Sequence, residues 1–104
     1  MPILQQAADA AGAQKMPVIS MFYGIIVQMF VLDTDRRHLP HIHVTYAEHK
    51  ASISITTGEL LAGTLPQRQL RMIQAWIEIH AEELAADWTL AASGTQPYKI
   101  EPLR

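Results

Sequence analysis

Residues 38–43 read His-Leu-Pro-His-Ile-His, so three of the chain's five histidines fall within six positions. Imidazole exchanges protons near neutral pH and ligates metals. On an extended strand His41 and His43 project to one side, because successive side chains alternate. Two such rings could share a metal ion or flank one phosphate. With His38 swung in across Pro40 they offer three imidazoles, the donor set of an open zinc site. Asp33, Asp35 and Glu48 are nearby oxygen donors. Neither a His-Glu-x-x-His helix nor a cysteine supports that zinc reading, so it is the alternative, and the leading expectation is no cofactor.

Without a metal, His41 and His43 could divide the base and acid roles of RNA cleavage, with the RNA 2′-hydroxyl as nucleophile. Arg37 and Arg68 would then face the charge that develops on phosphorus, with Arg36 and Arg71 as further candidates. Arg68 and Arg71, beside a helix start, also form a candidate anion-binding pair. The bland reading is a polar structural cluster at a loop-to-strand junction. His80 lies on an apolar helical stripe and reads as a core histidine bonded to backbone or carboxylate.

Several elements must position these residues. Residues 18–32 are rich in β-branched and aromatic side chains, with Gly24 marking a bend or bulge and 25–32 the main strand. A polar loop leads to Pro40, followed by a strand over 42–47 and a tight turn. Residues 51–56 alternate Ala51, Ile53, Ile55 against Ser52, Ser54, Thr56, as a half-buried strand does. A short fourth strand is expected over 59–62. Leu70, Ile73, Ile77, His80, Leu84 and Trp88 fall on one helical stripe after Pro66. Asp87 near this stripe argues for a break over 85–87, with Asp87 capping a short second helix that stops at Gly94. The expected fold is α+β: a small antiparallel meander of three to four strands, one main C-terminal helix and a short second helix. Residues 1–15 read as a short helical or loose extension, and 16–104 as a single domain, with Met16 a candidate initiator.

The chain has 104 residues, 49% apolar and 17% charged, which is an ordinary globular composition. A net charge of -2 gives no overall attraction to nucleic acid, so RNA binding would need a local basic patch. The absence of cysteine removes disulfides and thiolate metal sites and favours a cytoplasmic setting. Neither a membrane-spanning stretch nor a secretory signal is read.

The stretches "MPVISMFYGIIVQMF", "HLPHIHVTY", "TGELLAGTLPQRQLRMIQAWIEIHAEELAADW" and "KIEPL" together resemble the bacterial domain-of-unknown-function family 4160, over about residues 16–103. The most specific pieces are Pro40-His41-Ile42-His43 and the helix start Leu65, Pro66, Arg68, Leu70, Arg71, with Trp76 and His80 beyond it. The loop before the histidines is longer and more basic than the family's usual form, and residues 1–15 have no counterpart. The resemblance implies no established activity. It implies a gene neighbour of a second small family, domain of unknown function 2442, and hence a toxin–antitoxin-like or regulatory pair. The leading expectation is therefore a protein-interaction component of a two-gene module. A small partner protein, possible through a sheet edge or the helix, or a second copy of the chain, is the expected ligand. The RNA-cleaving and metal-binding readings are the alternatives.

Overall fold

The computed structural model describes residues 16–31 and 39–104. The expected N-terminal extension, and Asp33, Asp35, Arg36, Arg37 and His38 of the loop, lie outside the described residues. Five strands follow one another: β1 (Val18–Phe22), β2 (Ile25–Gln28), β3 (His41–Tyr46), β4 (His49–Ser54) and β5 (Leu60–Gly63). They form one antiparallel sheet in sequence order, followed by helices α1 (Gln67–Ile79) and α2 (Ala81–Ala92). The α+β meander is as expected, with one strand more than the three to four read from sequence.

The extra strand arises at Gly24. Tyr23 and Gly24 both have positive φ (51° and 78°), and Phe22 pairs with Ile25 across them. That is a two-residue type I′ hairpin turn, whose twist matches the flanking strands. The stretch read as a bent strand is therefore two antiparallel strands.

Cross-strand register sorts the side chains between two faces. Ile25, Val27, Ile42, Val44, Ala51 and Ile53 share one face and are buried. Ile73, Trp76, Ile77 and Leu84 from the helices join them in one core. A bulge between Val18 and Ser20 lets both Ile19 and Ser20 be buried. The opposite face carries Val18, Met21, Ile26, Gln28, His43, Thr45, Lys50, Ser52 and Ala62, all exposed or half-buried, and at one end His41 and Ser54, which are buried.

The two helices are nearly equal, with 13 and 12 residues, and the break falls at His80, not at residues 85–87. His80 leaves helical geometry (φ -109°, ψ 29°), while its N–H still bonds Trp76 O and its carbonyl accepts from Leu84 N–H. Glu82 and Glu83 fall in the first turn of α2, where the positive end of the helix dipole favours carboxylates. Asp87 does not cap a helix. It lies inside α2, is buried, and accepts the Tyr98 backbone N–H at 2.9 Å. The stop at Gly94 is as read: Gly94 (φ 86°) places Thr95 N–H on Leu90 O and its own N–H on Ala91 O, a Schellman motif.

The C-terminal tail bonds to the edge strand β1 at one point. Ile100 N–H donates to Ile19 O at 2.8 Å, and the buried Trp76 Nε1–H donates to Glu101 O at 2.8 Å. At the other side β5 is only four residues long, is irregular at Leu61, and ends on Gly63 with φ 80°. Both edges are thus blunted, in the ways that discourage further strand pairing.

Candidate functional site

His41 and His43 project from one face of β3, with ring centroids 4.9 Å apart in an edge-to-face arrangement. Their surroundings differ. His41 is 7% exposed and its Nδ1 lies 2.6 Å from Leu39 O, so Nδ1 carries the proton and donates. The Trp88 indole of α2 lies against the same ring at 5.1 Å. His41 is therefore a packed joint between the start of β3 and α2.

His43 faces a groove. Phe30 stacks on its ring at 3.9 Å with planes 7° apart, and Ser52 Oγ lies 3.5 Å from its Nδ1. Ser52 is its direct partner across β4, so alternation in β4 and register between β3 and β4 together create the pair. The groove has a volume of about 250 Å³ and is walled by residues of β2 to β5 and their flanks, among them Phe30, His43, Thr45, Lys50 and Ser52. Gln28 reaches back to Met16 O at 3.0 Å and frames one end.

Arg68 and Arg71 do not join this cluster. Both are exposed on α1, on the side turned from Ile73, Trp76 and Ile77, and neither lines the groove. Arg37 and His38 lie outside the described residues, so the proposed three-histidine set is described only in His41 and His43. Among the described residues no three of His, Asp or Glu come together in a metal-holding group. His80 has the carboxylate partner expected of it: its Nδ1 lies 2.5 Å from Glu83 Oε1, and its ring lies 5.5 Å from that of Trp76.

Asp87 is the residue whose environment the sequence reading missed. Desolvation by burial, the largest influence, raises its pKa above the ordinary carboxylate value. The Tyr98 N–H opposes that, and the nearby Glu83 charge adds to it. Its Oδ2 is buried with no hydrogen-bond partner among the described residues. The sequence signal is the position of Asp87 near the apolar stripe, which equally suits a helix break. The sequence places Trp88 on the apolar helical stripe and Phe30 among the aromatic residues of the 18–32 stretch, with no link to the histidines. Their placement against His43 and His41 needs the loop-to-strand junction and the helix break to be known.

The family model for a domain of unknown function (DUF4160) matches residues 24–89, from the β1–β2 turn into α2. The fold and site described above thus define a member of an α+β family without an assigned activity. The chain belongs to the DUF4160 family. No curated protein and no solved structure matches it.

Proposed function

We propose that this chain is a protein-interaction module, the partner-binding component of a two-gene toxin–antitoxin-like or regulatory pair acting in the cytoplasm. One observation carries the reading: the core lies on one face of the sheet, and the other face, covered at its His41–Ser54 end where Trp88 packs, is left open by the described residues over β1, β2 and the middle of β3 and β4. On that face Met21 is 61% exposed, Val18 and Ile26 are half-buried, and the His43–Lys50 groove lies beside them. An apolar strip bordered by polar groups is the usual anatomy of a protein-binding surface. Blunted edges direct the partner to this face and away from strand addition.

The RNA-cleaving reading is supported by the proximity of His41 and His43. It is weakened because His41 is enclosed by Trp88 with Nδ1 committed to Leu39, and because Arg68 and Arg71 lie on the outer side of α1. A partner of the DUF2442 family, suggested by the resemblance, is the candidate to test first. Co-expression with the product of the adjacent gene should give a stable complex. Met21→Glu should abolish it while leaving the circular dichroism spectrum unchanged. Absence of a complex, together with RNA cleavage that is lost in the His41→Ala/His43→Ala double variant, would reverse the choice.

A further inference from the structure

We infer that the groove beside His43 receives a carboxylate of the docked partner, with Lys50 as its counter-ion. The inference rests on the docking reading above and names the chemistry of the partner at that site. Among the described lining residues Lys50 is the one charged side chain, and none is Asp or Glu. The Lys50 ammonium makes no ion pair or hydrogen bond with another described residue. Thr45 sits directly across from Lys50 on β3, and Ser52 lies two residues along β4 on the same face. Two hydroxyls and an ammonium therefore stand on one face of the sheet and line the same groove, a donor set suited to a carboxylate.

The rest of the lining selects what carries that carboxylate. Phe30 and Met16 are apolar, and Ala62 and Gly63 present almost no side chain toward β4. Those two small residues leave a low wall on the β5 side, over which an aliphatic stem can reach Lys50. The stacked Phe30–His43 pair bounds the groove at its other side. An acidic side chain flanked by apolar neighbours matches both this groove and the adjoining Val18–Met21–Ile26 strip. Phosphate, with no apolar stem, matches only the Lys50 end.

The test is a titration of the full ¹⁵N-labelled chain, followed by NMR, with sodium butyrate, n-butanol and inorganic phosphate in parallel. Butyrate should move the amides of Thr45, Lys50, Ser52 and Gly63 saturably, and butanol and phosphate should move them much less. Lys50→Met keeps the stem and removes the charge. It should weaken butyrate about tenfold, the scale of one charge-assisted hydrogen bond. Ala62→Leu, at an exposed position, should fill the groove and remove the shifts. In the partner complex Lys50→Met should weaken association by a similar factor.

Equal effects of butyrate and butanol would overturn the inference, as would a Lys50→Met variant that binds butyrate or the partner as the parent does. The docking reading would survive that result. Phosphate acting more strongly than butyrate would overturn the choice of a carboxylate. Butyrate mapped to the groove without any partner complex would overturn the partner as its source and leave a site for a free carboxylate.

Discussion

Replacing Asp87 by Asn tests the account of α2 and the tail most directly. Asp87 is 3% exposed; Oδ1 accepts the Tyr98 N–H at 2.9 Å, and Oδ2 is buried with no partner among the described residues. Asn keeps the Oδ1 acceptor and removes the buried charge with its repulsion from Glu83. The folded pKa of Asp87 is raised, chiefly by desolvation, so the folded state binds more protons than the unfolded state between the two pKa values. Stability from this group is therefore fully present below the unfolded carboxylate value near ~3.9 and is lost as pH rises through the folded pKa. The Asn variant lacks that loss. The stability difference, Asn variant minus parent, should grow as pH rises above ~4 and level off beyond the folded pKa.

An unsatisfied buried polar atom costs about 1–3 kcal/mol, and the amide nitrogen of Asn still incurs part of it, so a plateau of roughly 1 kcal/mol is expected. For a domain of this size that is about 4–8 °C in Tm. Thermal unfolding followed by circular dichroism between pH 4 and 8 measures it, with Glu83→Gln as a second variant that lowers the repulsion alone. A difference that is flat with pH, or that shrinks as pH rises, would refute the reasoning. Asp87→Ala, which also removes the Tyr98 acceptor, should fall below the parent at every pH.

Gly63→Ala should cost about 2–4 kcal/mol in urea denaturation, because φ is 80° and a Cβ would lie 2.0 Å from Lys50 O and 2.8 Å from Ala51 Cα. Trp76→Phe keeps the aromatic contact with Phe22 but loses the bond to Glu101 O. A loss of about 1 kcal/mol is expected, with hydrogen exchange at the Ile100 amide accelerated more than in β3. His41→Ala should lower stability by about 2–3 kcal/mol, from the buried ring held between Leu39 O and Trp88. His43→Ala should cost less, because one side of its ring opens on the groove, and the two urea midpoints give the comparison.

How far the sequence could be read depended on the range of the interactions involved. Alternation over 51–56 correctly turned Ile53 inward and Ser52 outward, because strand periodicity is a local property. Pro66 and Gly94 bounded the helical region for equally local reasons of backbone geometry. Tyr23–Gly24 was harder. A single glycine in an apolar run signals a bend or bulge, and a tyrosine at positive φ is uncommon, so nothing local marks Tyr23–Gly24 as a hairpin turn. The helix break was misplaced because a buried carboxylate was judged unfavourable. The Tyr98 N–H that makes it tolerable arrives from the tail, eleven residues later in the chain.

The α+β class, the order of the elements, the family, and the projection of His41 and His43 to one side are all legible in the order of residues alone. Each depends on composition, on a run of matching residues, or on backbone geometry within a few residues. What the two histidines meet depends on the folded arrangement. Strand register put Ser52 across from His43 and Lys50 two residues farther along the face. Packing of α2 brought Trp88 onto His41, and the chain that continues past the end of β2 laid Phe30 on His43. These are contacts between segments distant in sequence, fixed by burying Ile53, Trp76 and Leu84 in one core, and no local pattern encodes them.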